Sequence, residues 1–228
     1  MSNSRWEQVG AAGGIVFVAL QMTAQALMQV GGAEPPFNAP ADTIAAFVLA
    51  RNGQLFALGE YLATLSLIPF LWFLGSLWSA LRRSEGEPAW LSLVALASGL
   101  MVVAIASAGI GWPLAVFRRD EGLDPQIARL LFDQGNFAFA NAWVMLASLS
   151  LVTGVVSIRT GALPRWLGWA GVMIAAGLLA ARAVWASSGI VFIPYIFGWL
   201  WLIAISIVLI RSASAGQPAP HMTAAQHP

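Results

Sequence analysis

The chain has 228 residues, 59% of them hydrophobic and 9% charged, against about a quarter charged in an ordinary soluble domain, so it cannot cover itself in water. Its net charge is +1, carried by eleven arginines and no lysine, which excludes a polybasic nucleic-acid surface; no nucleic-acid partner is expected. Cysteine is absent and both histidines, His221 and His227, lie near the C-terminus, which excludes disulfides, thiolate nucleophiles and a histidine-ligated metal or haem in the apolar region; no cofactor is expected.

Six apolar blocks follow in chain order, each long enough to cross a hydrocarbon core of about 30 Å as a helix. They run from Val9 to Val30, Leu55 to Leu81, Ala89 to Pro113, Phe137 to Ile158, Leu167 to Ser187 and Pro194 to Ile210. The alternating ten-residue strands of a membrane barrel are absent, and helices are the other structure that satisfies its own backbone in lipid. The sequence therefore predicts an all-α polytopic membrane bundle of six transmembrane helices, residues 1–211. A small, polar, proline-containing tail, 212–228, cannot bury a core and is expected to be disordered. The first block is longer than a signal-peptide core and carries three glutamines, so it is read as a retained helix.

Six crossings put both termini on one side. That side carries Arg5, Arg82, Arg83, Arg159, Arg165 and Arg211 against Glu7, Glu85 and Glu87. The opposite side carries Arg51, Arg118, Arg119 and Arg129 against Glu34, Asp42, Asp120, Glu121, Asp124 and Asp133. Arginine excess marks the cytoplasmic face, so a plasma (bacterial inner) membrane protein with cytoplasmic termini is expected.

Two external connections lead into similar motifs. "DTIAAFVLARNGQ" offers Asp42 as N-cap, an apolar face of Ile44, Phe47 and Val48, and a break at Gly53. "DPQIARLLFDQGN" offers Asp124 as N-cap, Pro125 at the first helical position, an apolar face of Ile127, Leu130 and Leu131, and a break at Gly135. Pro88, Trp90 and Leu91 match Pro164, Trp166 and Leu167 further on. These matches suggest a parallel repeat, 42–113 and 124–187, each with a surface helix, an inward helix, a Pro-x-Trp-Leu corner and an outward helix.

The segment "LPRWLGWAGVMIAAGLL", Leu163 to Leu179, resembles a family of multi-pass bacterial membrane proteins of unknown function, many of which have a Leu-Pro-Arg-x-Leu-Gly corner before a late helix. The resemblance implies the architecture and leaves function open.

The unusual chemistry lies in the external half. Gln21, Gln25 and Gln29 recur every four residues, a stripe that must face protein or water rather than lipid. Glu60 and Arg182 are the two charges inside the spans, each about 8 Å below the external boundary at 1.5 Å per residue. Arg182 continues the face of Gly171, Ala175 and Leu178, whose glycine and alanine mark the packed side. Asn141 lies at the same depth, and Asn136, Gln54, Trp185 and Tyr195 offer a rim. The expected ligand-binding set is Gln21, Gln25, Glu60, Asn136, Asn141, Arg182, Trp185 and Tyr195. They would wall one external pocket for a small amphiphilic or polar molecule or a lipid, with Glu60 and Arg182 as its charged pair.

Three other readings stand beside it. The two charges could form only an interhelical clamp, or each could snorkel to the interface. The chain could instead be a non-catalytic accessory subunit docked on another membrane protein or on a second copy of itself. An enzyme is disfavoured, because the spans hold one glutamate and no histidine or cysteine to build a nucleophile, a metal cluster or a carboxylate pair. Asp120, Glu121 and Asp124 beside Arg118 and Arg119 read as a solvated charge run.

Overall fold

A computed structural model describes residues 3–30, 32, 34–109, 111–185 and 192–215. The expected disorder of the tail concerns residues that lie mostly outside that set. No strand occurs among the described residues. The helices are α1 (Asn3–Met28), α2 (Ala41–Leu49), α3 (Gly53–Glu85), α4 (Trp90–Ala108), α5 (Gly111–Phe117), α6 (Pro125–Thr160), α7 (Arg165–Ala183) and α8 (Phe192–Ala215). Among the described residues six stretches are long and apolar enough to span a membrane, with α4 and α5 together making the third. They overlap the six predicted blocks, the fourth beginning at Pro125 rather than Phe137 and the fifth ending at Ala183, and the chain is a multi-pass integral membrane protein.

Each spanning helix packs on two neighbours in the order α1, α3, α4, α6, α7, α8 and back to α1, so the six close into a ring. Its centre is filled by Phe70, Phe73 and Leu77 of α3, Trp143 and Leu149 of α6, Leu178 of α7, and Leu202 and Ile205 of α8, all buried. Without a hydrophobic drive between helices in lipid, close approach must come from small residues. Gly154 of α6 and Gly168 of α7 lie face to face, and a Cβ on either would run into the other's carbonyl oxygen. The start of α1 and the end of α8 meet on one side, where the Gln8 side chain donates to Ser214 Oγ at 3.0 Å. We call this the terminal side and the other the far side.

At 36 residues, about 54 Å, α6 is longer than any hydrocarbon core requires, and its first turns carry α2 on the far side. Ile44 and Val48 of α2 are buried, with Ile44 and Ala39 gathered on Phe132. The expected amphipathic helix is thus present at α2. Its N-cap, however, is Pro40, and Asp42 lies one residue inside the helix, so Asp42 makes no cap hydrogen bond. Asp124 does cap α6, accepting from the amides of Gln126 (2.8 Å) and Ile127 (3.4 Å) ahead of Pro125.

The second motif departs from expectation in two ways. Its buried face is Ala128, Phe132 and Gly135, while Ile127 and Leu130 are exposed. Gly135 breaks nothing and sits inside α6, where α5 crosses: Gly111 lies against the Leu131 carbonyl and the Gly135 amide. Glycine serves here as a close-approach residue, whereas the Leu49 to Gly53 interruption separates α2 from α3. The corners differ as well. Ala89, in the left-handed region at φ 50°, caps α4, while Pro164 itself caps α7. The two halves also differ in their helices, α2, α3, α4 and α5 in the first against α6 and α7 in the second, where the expected surface helix is the start of α6 itself.

Candidate functional site

Antiparallel packing of α6 on α7 sets which residues meet. The register that opposes Gly154 to Gly168, and Ser150 to Gly171, brings Asn141 level with Arg182 toward the far side. There the Arg182 Nε and Nη2 donate to Asn141 Oδ1 at 3.2 and 2.9 Å. Sequence depth placed Arg182 five residues inside the fifth span. The helix instead ends at Ala183, which puts the guanidinium in its last turn, where a cation favours the negative end of the helix dipole.

Aromatic rings flank this pair. The Arg182 guanidinium lies 5.4 Å from the ring centre of Phe137 and 5.9 Å from that of Trp185. Trp185 packs edge-on to Phe137 at 5.3 Å, and Phe37, from the connection between α1 and α2, covers Trp185 at 4.4 Å. Phe37 and Phe137 carried no signal in the sequence reading. The clue to Phe137 is spacing: Asp133, Phe137 and Asn141 recur every four residues, one face of α6.

Tyr195 does not join this cluster. It packs on Phe139 at 5.2 Å and on Trp143 at 6.2 Å. Phe139 is two residues from Asn141, about 200° round the helix, so Tyr195 faces the bundle centre. Asn136 turns onto its own helix, donating to the Phe132 carbonyl at 3.1 Å.

Across the ring, α1 and α3 hold a second polar group. Gln21 Nε2 donates to Ser66 Oγ at 2.9 Å and to the Ala63 carbonyl at 3.3 Å. Of the glutamine stripe, Gln21 is therefore bonded across helices, Gln25 is half-buried, and Gln29 is exposed near the helix end. Gly59 of α3 packs on Ala24 and Met28, so the register brings Glu60 level with Gln25. Neither side chain has a hydrogen bond or ion pair among the described residues. The partner of Arg182 is Asn141, and no ion pair among the described residues joins it to Glu60. The single expected constellation is thus two, one on α6–α7 and one on α1–α3, set on opposite sides of the ring.

Sequence reasoning missed a third group, because Arg51 entered it only as a loop charge. Arg51 is 4% exposed. It donates from Nη1 to the Met28 carbonyl (3.2 Å) and from Nη2 to the Gly32 carbonyl (3.0 Å), with its guanidinium 3.8 Å over the Phe47 ring. It closes the C-terminal end of α1 against α2, satisfying carbonyls that a helix leaves unpaired. The clue is its place one residue past the C-cap of an amphipathic helix. Nearby, Asn52 caps α3, accepting from Gln54 and Leu55 amides at 3.1 Å.

Two surface concavities lie at the terminal side. One of about 270 Å³ is bordered by Trp6, Gly10 and Trp72 between α1 and α3, and one of about 380 Å³ by Trp78, Arg82 and Arg83. None of the eight expected site residues lines either. On the far side the charge run pairs internally, Arg118 with Glu121 at 2.8 Å and Arg119 with Asp120 at 3.6 Å. Among the described residues no group of three potential metal ligands occurs.

Fold and geometry define a multi-pass membrane protein with a polar, aromatic-walled cluster on its far side. No family model, no curated protein and no solved structure matches the chain.

Proposed function

We propose that this is a plasma membrane protein that binds, or passes, a small amphiphilic or polar molecule at the far-side ends of α6 and α7. The excess of arginine on the terminal side supports a cytoplasmic location for both termini, and so an external-facing site. The observation that carries the reading is the Arg182–Asn141 pair between aromatic rings. Arg182 stands in the last turn of a spanning helix, and its hydrogen-bond partner is a neutral amide, which leaves its charge available to a ligand. Asn141 is exposed and Phe137 is 47% exposed, which leaves one flank of the cluster open to an incoming molecule. Site residues in this reading are Asn141, Arg182 and Trp185, with Phe137 and Phe37 as the wall. Gln21, Gln25 and Glu60 form a separate polar locus.

The same hydrogen bond also suits a purely structural clamp between α6 and α7 in an accessory subunit, and one experiment separates the two. Small molecules and lipids extracted from purified wild type and from Arg182→Gln are compared by mass spectrometry. A defined compound enriched in the wild type and lost from a folded variant supports the site. The same bulk lipid in both contradicts it and favours the clamp.

A further inference from the structure

The Arg182 guanidinium has no counter-charge among the described residues. Among the described residues no carboxylate lies within ion-pair distance of it, and its hydrogen-bond acceptor is the neutral Asn141 Oδ1. The acid nearest along the same face of α6, Asp133, is two turns away and faces Arg129 at 3.8 Å. Glu60 belongs to the group across the ring.

A guanidinium offers five N–H donors in a flat fork, and two of them converge on Asn141. The rest have no acceptor among the described residues. A half-buried guanidinium whose acceptor is a neutral amide keeps donors free for a charged one, so the site gains most from an anion. The fork matches a carboxylate or a phosphate, which it takes with two parallel hydrogen bonds. Beside it, Phe137, Trp185 and Phe37 present apolar ring surface that a small inorganic anion leaves uncovered.

We propose that Arg182 receives the anionic head group, carboxylate or phosphate, of an amphiphile whose apolar part lies along Phe137, Trp185 and Phe37. This rests on the ligand-site reading above and names the chemistry of the occupant.

Bromine quenches nearby tryptophan, and Trp185 stands at the site. The purified full chain in non-ionic detergent is titrated with a dibrominated fatty acid and with the matching dibrominated alcohol. The acid is expected to quench saturably at about tenfold or more lower concentration than the alcohol, the scale of a hydrogen bond to a charged group. That preference should vanish in Arg182→Gln and persist in Arg182→Lys. The wild-type comparison of acid with alcohol stands on its own if a variant fails to fold. Competition by inorganic phosphate would assign a free anion as the natural head group. Competition by phosphatidylglycerol alone would assign a membrane lipid; both outcomes uphold the anionic head. Equal saturable quenching by acid and alcohol would overturn the anionic assignment and keep the ligand site. No saturable quenching by either would overturn both.

Discussion

Arg182, in the last turn of α7, and Asn141, midway along α6, are joined by two hydrogen bonds into one amide oxygen, at 2.9 and 3.2 Å. The pair links two helices whose close approach is set further along by Gly154 and Gly168. Its contribution to stability should be modest, because hydrogen bonds between membrane helices average well under 2 kcal/mol. A double-mutant cycle of Asn141→Ala and Arg182→Gln, read from unfolding in mixed micelles, should give a coupling of about 1 kcal/mol. A coupling near zero would mean that the bond does not persist in the folded protein.

The glycine contact should matter more. Gly154→Leu places side-chain atoms where the Gly168 carbonyl stands, and the overlap should cost about 2 kcal/mol or more. Gly75→Ala is the matched control, because a Cβ there meets nothing within 4 Å. Apparent melting temperatures in one detergent should therefore fall sharply for the first and hardly move for the second.

Arg51 predicts a local failure on the far side. Arg51→Gln removes the donors to the Met28 and Gly32 carbonyls and should destabilise by about 2 to 4 kcal/mol. Protease cleavage between α1 and α2 should quicken at the same time. Arg118→Gln, whose side chain is 58% exposed in its pair with Glu121, should change stability by about 0.5 kcal/mol or less.

The glutamine stripe should divide by position. Gln21→Leu leaves Ser66 Oγ without its interhelical partner and should cost about 1 kcal/mol. Gln29→Leu, at an exposed position past the end of α1, should be near neutral in the same unfolding measurement.

Much of this was legible in the sequence for physical reasons. Span length and hydropathy set the six crossings, because lipid permits few alternatives. Rise per residue set the common level of Asn141 and Arg182, and the face of Gly171, Ala175 and Leu178 is packed as expected. Depth says nothing of which helices are neighbours in the ring. Glu60 was therefore matched to Arg182 although α3 and α7 lie apart. Gly135 predicts a break because glycine weakens a helix, and the crossing of α5 that it accommodates arises only in the assembled fold. Arg51 was hidden because its partners are backbone carbonyls, which any sequence offers.

A molecule that occupies the cluster around Arg182 lies against Phe137. The most direct measurement replaces Phe137 with a photo-crosslinking benzoylphenylalanine, irradiates the protein in native membranes and weighs the adducts. Leu151, also exposed on α6 but deeper in the span, takes the same residue as control. One adduct of defined mass at 137, absent at 151 and lost with Arg182→Gln, is the predicted result. The same spread of bulk-lipid adducts at both positions, unchanged by Arg182→Gln, would contradict it.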